Sequence, residues 1–243
     1  MNLIVLSEMS IYKELERHCK IEKISIQKEI AVHTLPLKYN VEKIQSFLKE
    51  EVNIIFQSKN AIDYSIKVHA QIKDIETGII YCMGKYSAQK AKKIFLVQPK
   101  YPEYNYSSEQ MLNIILKDLK EESKVLIIKG KGGRTYLEEE IKKGGFETEV
   151  IDVYQRKPVS LKLLENKMSK STNNFFIVSS KVALVNLIKY LEMLEGDYKS
   201  IVIVPNIRLL ENISKDKIND NIIINNSAKP LEYINAIKEY NER

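Results

Sequence analysis

Short apolar runs alternate along this chain with segments whose apolar residues recur at helical spacing. One such segment, Ser108–Lys120, places Met111, Ile114, Ile115 and Leu119 on one helical face. Alternation of strands and helices is typical of parallel sheets covered by helices, so the pattern predicts an α/β protein. The runs that predict strands are Leu3–Leu6, Ile24–Val32, Val52–Phe56, Ile79–Met83, Ile94–Val97, Val125–Ile128, Glu147–Val153, Phe175–Val178, Ile201–Val204 and Asn221–Ile224. Ten strands are too many for one compact sheet in 243 residues, so two sheets of about five strands are expected.

An internal repeat supports two sheets. Asn53–Ser58 and Asn174–Ser179 share one pattern, in which an Asn is followed by an apolar strand and then a Ser. The opening strand–helix–strand segment, Leu3–Val32, likewise mirrors Val125–Val153. The chain therefore divides into segments 1–33, 41–121, 124–154 and 160–243. The residues alone leave open whether the first segment packs with the second or with the fourth.

Two stretches between these segments break the periodicity. His33–Asn40 contains Pro36, and Tyr154–Ser160 contains Pro158. Because proline interrupts regular structure, we interpret both stretches as connectors.

Composition and charge narrow the class of protein. Hydrophobic residues make up 44% of the chain and charged residues 29%, as in ordinary globular proteins. The net charge of +6 fits an acidic small-molecule substrate, but it also fits a composition generally rich in lysine, isoleucine and asparagine, and we favour this simpler interpretation. Lysine clusters such as Lys90–Lys93 are interpreted as solvated helix faces, and the aromatic residues do not alternate with basic ones. We therefore expect no nucleic-acid partner.

Cysteine usage and hydropathy indicate the compartment. Cys19 and Cys82 lie far apart and neither belongs to a CxxC motif, which favours a reducing, intracellular setting. The apolar run Leu3–Leu6 is too short for a signal peptide, and no other run approaches the length of a membrane span. We expect a cytoplasmic protein without a membrane partner.

A glycine-rich turn, Gly130–Gly133, invites comparison with nucleotide-binding motifs. Thr135 occupies the third glycine position of a dinucleotide fingerprint, and no Walker A pattern is present.

The sequence also lacks the usual motifs of metal and nucleophile sites. The spacing of metal ligands is not found among the histidines, which are His18, His33 and His69, and there is no Gly-x-Ser-x-Gly elbow. Any chemistry is therefore expected to need neither a metal nor a covalent nucleophile.

Ligands of α/β proteins bind where loops leave the carboxyl ends of strands. The loop residues there that offer hydroxyl, amide, cationic or backbone N–H groups to an anion are Ser58, Asn60, Gly84, Ser87, Gly130, Lys131, Arg134, Ser179, Ser180, Lys181 and Asn206. The simpler interpretation makes Ser58, Asn60 and Ser179 helix N-caps and the glycine-rich turn a plain connection. Both interpretations can hold, because a cap leaves several N–H groups unused.

Six short stretches carry a family resemblance. They are Phe56–Ala61, Met83–Ala88, Leu126–Leu137, Val153–Arg156, Phe176–Lys181 and Val204–Asn206. Together they resemble uroporphyrinogen-III synthase over essentially the whole chain, most characteristically through the Val-Tyr pair at residues 153 and 154. Three positions depart from the family pattern: Val204 and Asn206 stand where Gly and Thr are usual, and Ser7 stands where Arg is common.

The resemblance implies an α/β fold of two domains, each a five-stranded parallel sheet flanked by helices, joined by a two-stranded connector. One domain would comprise residues 1–33 and 160–243 and the other residues 41–153, with 34–40 and 154–159 as the connector. The substrate would lie between the domains, and no cofactor would be used.

The implied reaction closes the linear tetrapyrrole hydroxymethylbilane with inversion of ring D. The terminal hydroxyl of ring A leaves, the substituted carbon of ring D attacks, and a spiro intermediate fragments and recloses. The resemblance assigns Tyr154 the role of assisting the departing hydroxyl by hydrogen bonding, whereas the simpler interpretation is a packing aromatic with its hydroxyl in water. We expect a monomer, and a transient contact with the preceding enzyme of the pathway stays open.

A second class of function also stays open. A two-lobed, non-catalytic binding module for an acidic metabolite would share the fold, and the departures at Asn206 and Ser7 leave room for it. A pair of response-regulator-like domains fits poorly, because no strand end carries the acidic cluster that such domains need.

Overall fold

The described part of the chain forms ten strands in two five-stranded sheets. The computed structural model describes residues 1–6, 9–74, 78–103, 106–213, 222–225 and 229–242. The strands are β1 (Asn2–Val5), β2 (Ser25–Lys28), β3 (Val32–Pro36), β4 (Val52–Phe56), β5 (Ile80–Cys82), β6 (Lys124–Gly130), β7 (Glu147–Pro158), β8 (Asn174–Ile177), β9 (Ser200–Val204) and β10 (Ile222–Ile224). One sheet has the order β10-β9-β8-β1-β2 and the other β3-β7-β6-β4-β5.

Helices connect nearly all the parallel strands. They are α1 (Met9–Ile21), α2 (Val41–Phe47), α3 (Lys59–Tyr64), α4 (His69–Asp74), α5 (Lys85–Phe95), α6 (Ser108–Asp118), α7 (Tyr136–Lys143), α8 (Lys181–Met193) and α9 (Pro230–Asn241). Three short 3-10 turns span Ile66–Val68, Glu165–Lys167 and Ile207–Leu210. Within the described ranges, no helix combines the length and apolar composition that a membrane span requires.

The chain divides into two compact units, each with one sheet. The terminal unit comprises Met1–His33 and Lys157–Arg243, and the middle unit comprises Thr34–Arg156. In the terminal unit all strand pairs are parallel, and β1 lies between β2 and β8. Leu3 and Ile4 are fully buried on opposite faces, because α1 and α9 cover one side of this sheet and α8 the other.

The sheet of the middle unit is mixed rather than parallel, so the prediction of two parallel sheets is wrong for this unit. Strands β4, β5, β6 and β7 pair in parallel. The N–H of Leu37 donates to the carbonyl of Val153 (2.9 Å), and the N–H of Val159 donates to the carbonyl of Ala31 (3.0 Å). Residue numbers thus rise along β3 as they fall along β7, so the two strands are antiparallel. The chain enters the middle unit along β3 and leaves it along the end of β7, so these two neighbouring strands run in opposite directions.

Two predicted strands differ in the structure. Ile94–Val97 is not a strand, because Ile94 and Phe95 complete α5 and Leu96 ends that helix with a φ of +58°. Phe95 continues the buried face formed by Ala88 and Ala91, which is a helical periodicity. The predicted strand Ile24–Val32 divides into β2 and the first residue of β3.

Candidate active site

The loops that the sequence singled out in the middle unit leave one edge of its sheet. Phe56 at the end of β4 lies opposite Cys82 of β5 and Ile128 of β6. Because these strands are parallel, their carboxyl ends meet at the same edge. The loops that contain Ser58, Gly84 and the glycine-rich turn therefore begin side by side.

A β-bulge places Tyr154 at this edge. Lys129 of β6 pairs with Asp152 of β7, but the next residue, Gly130, pairs with Tyr154, so Val153 is an extra residue. The bulge turns the Tyr154 ring over Gly130, where any side chain would collide with it: a Cβ atom on Gly130 would lie 2.4 Å from the Cζ atom of Tyr154. Gly130 is therefore required by the ring above it.

Tyr154 is a buried residue with a hydrogen-bonded hydroxyl, not an aromatic with its hydroxyl in water. Its exposed fraction is 2%. The hydroxyl lies 3.0 Å from Oγ of Ser58, and that Oγ also accepts the N–H of Ala61 at 3.0 Å as the N-cap of α3. Ser58 therefore serves both as a helix cap and as a partner of the phenol. The structure brings together three predicted site residues: Ser58, Gly130 and Tyr154.

Two further side chains contact the Tyr154 ring, and neither was predicted to have a role. The ring of Tyr64 lies with its centroid 5.7 Å from that of Tyr154, and its hydroxyl donates to the carbonyl of Thr34 at 2.9 Å. The Cζ atom of Arg156 lies 5.2 Å from the centroid of the Tyr154 ring. The two-residue period of a strand could have indicated Arg156, since positions 154 and 156 share a face. No sequence signal connects Tyr64 with Tyr154.

The glycine-rich turn closes against β7 through its backbone. The N–H of Lys131 donates to the carbonyl of Tyr154 at 2.8 Å, and Gly132 has a φ of +70°, which favours glycine. The Lys131 side chain is exposed and has no ion-pair partner among the described residues.

Arg134 lies in the loop before helix α7, which begins at Tyr136 with Thr135 as its N-cap. The Arg134 guanidinium pairs with Oε1 of Glu109 at 2.7 Å and lies over the Tyr136 ring. Of the predicted cations in this loop, Arg134 is therefore partly neutralised and Lys131 is not.

Lys129, one residue before the turn, is a buried lysine. Its exposed fraction is 6%, and its Nζ donates to Oε2 of Glu138 at 3.1 Å. Lys142 donates to the other oxygen of Glu138 at 2.8 Å. The hydrogen bonds from Lys142 and then Lys129 hold the pKa of the Glu138 carboxyl below its usual value, although burial opposes them. This pair ties the end of β6 to α7.

Asn60, Gly84 and Ser87 lie in the first turns of α3 and α5. Gly84 is the N-cap of α5 without a side chain, and the ring of Tyr106 packs over it, so that a Cβ atom added to Gly84 would lie 3.2 Å from the ring. Ser87 is buried with an exposed fraction of 8%, whereas Asn60 is partly exposed. The described contacts do not bring these three residues to the Tyr154 hydroxyl.

The predicted residues of the terminal unit follow its strands β8 and β9. Ser180, rather than Ser179, is the N-cap of α8, with its Oγ accepting the N–H of Ala183 at 3.3 Å. The Lys181 ammonium donates to the carbonyl of Glu211 at 2.7 Å. Asn206 is exposed and precedes the turn Ile207–Leu210 without a side-chain cap. Ser7 lies outside the described residues.

The fold and the sites define a class. The chain is a two-unit α/β protein, and the strand-end loops of each unit offer hydroxyls, cations and helix-starting N–H groups. Such groups suit an anionic ligand. In the middle unit one of these hydroxyls, that of Ser58, is hydrogen-bonded to the phenol of Tyr154.

Comparison with known proteins identifies the family. The family model described as Uroporphyrinogen-III synthase HemD matches residues 26–207. A uroporphyrinogen-III synthase from Proteus mirabilis is 26% identical over 135 residues, which cover 52% of this chain and 68% of the relative. The chain belongs to the uroporphyrinogen-III synthase family, which confirms the prediction made from the motifs and makes the protein a hydro-lyase.

Solved structures match the fold over nearly the whole chain. Uroporphyrinogen-III synthetase from Helicobacter pylori 26695 superposes with a TM-score of 0.63 at 12% identity, covering 98% of this chain and 99% of that one. A mutant uroporphyrinogen III synthase from Thermus thermophilus gives a TM-score of 0.57 at 9% identity, covering 98% and 100%. Both matches show a common fold.

Proposed function

We propose that this protein closes hydroxymethylbilane to uroporphyrinogen III with inversion of ring D, and that Tyr154 assists departure of the terminal hydroxyl. Family membership supports the reaction. The observation that carries the role of Tyr154 is its hydroxyl, held 3.0 Å from Oγ of Ser58 where the strands of the middle unit end.

The Ser58 hydroxyl leaves the phenol proton available. Ser58 accepts the N–H of Ala61, so its own O–H is free to donate to the Tyr154 oxygen. The phenol then gives its proton to the leaving oxygen of ring A as the C–O bond breaks, so that water departs and Tyr154 is left as a phenolate that accepts the Ser58 O–H. The remaining azafulvenium cation is attacked by ring D. The proton returns to Tyr154 when ring D loses its α-hydrogen at the final closure.

The protein's larger task is to hold the bilane so that ring D attacks through its substituted carbon. The bilane also closes unaided to the wrong isomer, so positioning decides the product. We propose that the substrate carboxylates are held by the predicted loop residues, which are Ser58, Asn60, Gly84, Ser87, Gly130, Lys131 and Arg134 in the middle unit and Ser179, Ser180, Lys181 and Asn206 in the terminal unit. We further propose that the two domains are residues 1–33 with 160–243 and residues 41–153.

Tyr154→Phe tests the phenol directly. The variant keeps the ring over Gly130 but loses the donor, so the rate of uroporphyrinogen III formation should fall roughly a hundredfold. Tyr81→Phe is a matched control, because it removes another buried hydroxyl, one that bonds Asp118 on the other face of the sheet. Initial rates with enzymatically generated hydroxymethylbilane measure both variants. An unchanged rate in Tyr154→Phe rules out the assisting role and leaves the family membership intact.

A further inference from the structure

Arg156 is a cation beside the proposed catalytic phenol. Its side chain is partly buried, and its Cζ atom lies 5.2 Å from the centroid of the Tyr154 ring. Within the described ranges, no carboxylate forms an ion pair with it. A contact with a ring face uses none of the five N–H donors of a guanidinium, so these donors remain available to a ligand.

The backbone fixes this position. Beyond the bulge, β7 leaves β6 and pairs with β3, as the antiparallel bonds at Leu37–Val153 and Ala31–Val159 show. The same register places Arg156 opposite Thr34, whose carbonyl accepts the hydroxyl of Tyr64. Arg156, Tyr154 and Tyr64 are thereby held at one junction of two strands and a helix.

The other cations near this edge are either paired with a carboxylate or not held in one orientation. Lys129 is buried against Glu138, and Arg134 is paired with Glu109. Lys131 has no ion pair with the described residues, but no ring contact orients it. A cation that is both unpaired and oriented is the better receptor for a carboxylate, because less side-chain freedom is lost on binding.

We propose that Arg156 binds a carboxylate of the bilane beside ring A, the ring whose hydroxyl departs. By holding this carboxylate, Arg156 positions ring A against Tyr154. This inference rests on the proposed function. The guanidinium fork matches the two oxygens of a carboxylate. Arg156 makes this contact in the ground state and in the transition state alike, so its loss weakens substrate binding more than the chemical step.

Arg156→Gln, Arg156→Lys and Lys157→Gln test the inference. Arg156→Gln should raise KM for hydroxymethylbilane at least about tenfold while kcat changes by less than about threefold. Arg156→Lys keeps the charge but loses the guanidinium fork, so its KM should lie between the KM of the unmodified protein and that of Arg156→Gln. Lys157→Gln is the control, since Lys157 is an exposed cation on the next position of the same strand. Unfolding midpoints are measured beside the kinetics, and if Arg156→Gln does not fold, Arg156→Lys provides the comparison.

The outcomes separate the two proposals. If the unmodified protein forms uroporphyrinogen III and the Arg156 variants keep its KM, the carboxylate role is overturned and the proposed function stands. A loss in kcat at constant KM also overturns it, because Arg156 would then act through Tyr154. If the unmodified protein forms only uroporphyrinogen I, the proposed function fails and the inference fails with it.

Discussion

At the residue scale, the site depends on the absence of a side chain at Gly130, which leaves room for the Tyr154 ring. The Tyr154 ring lies where any side chain on Gly130 would stand, and its hydroxyl reaches Ser58 from there. From the sequence, Gly130 was interpreted either as offering its backbone N–H to an anion or as part of a plain connection. The structure gives Gly130 a different requirement, which depends on a pairing between β6 and β7 that is not visible in a single sequence.

Gly130→Ala should therefore disturb both stability and activity. The new methyl group would lie 2.4 Å from Cζ of Tyr154, so the ring must move. We expect a loss of roughly 1–3 kcal/mol in the free energy of unfolding, measured with urea, and a marked fall in synthase rate. In a Tyr154→Ala background the same substitution should cost much less, because the ring is absent. Equal costs in both backgrounds would show that the ring is not the obstacle.

At the element scale, the ion pair between Lys129 of β6 and Glu138 of α7 holds in place the turn that faces Tyr154. Lys129 is the last residue but one of the buried strand β6, and its ion-pair partner among the described residues is Glu138 of α7. A lysine inside an apolar strand is a sequence signal for a buried pair, although the sequence does not say which carboxylate pairs with it.

Glu138→Gln tests this ion pair through the pH dependence of the free energy of unfolding. At pH 7 the variant leaves Lys129 buried without a counter-charge, which should cost about 1–3 kcal/mol in the free energy of unfolding. The pKa of Glu138 is lowered by Lys142 first and by Lys129, so its stabilising effect is present above the ordinary carboxyl pKa and is lost as the pH falls through the lowered one. The difference between the unmodified protein and the variant should shrink in acid. Glu139→Gln, at an exposed position of the same helix, should show little change at either pH, and a constant difference for Glu138→Gln would contradict the pairing.

Strand prediction succeeded where burial is uniform and failed where the chain changes partners. Val52–Phe56 was predicted with the bounds that the structure shows, because a short apolar run, interrupted only by Asn53 and flanked by polar residues, matches a central strand. The extension of β7 to Pro158 and its antiparallel partner β3 were not, since both strands are short of apolar residues there. The family resemblance implied a two-stranded connector at this place, where the hydrophobic pattern alone indicated irregular structure.

At the scale of the whole molecule, each unit has its own sheet with a core on both faces. The motifs predicted the family, and the family model and the Proteus mirabilis relative confirmed it. The contacts around Tyr154 could not be predicted from the sequence. Ser58, Tyr64 and Arg156 come from a loop, a helix and a strand, and only the fold brings these elements together.

The most direct test of the proposed activity is the isomer that the unmodified protein forms from enzymatically generated hydroxymethylbilane. The products are oxidised and separated as porphyrin isomers, beside a reaction without the protein in which the bilane closes unaided. We expect predominantly uroporphyrinogen III with the protein and uroporphyrinogen I without it. Uroporphyrinogen I alone, formed at the unaided rate, would contradict the proposed activity and favour a non-catalytic binding module.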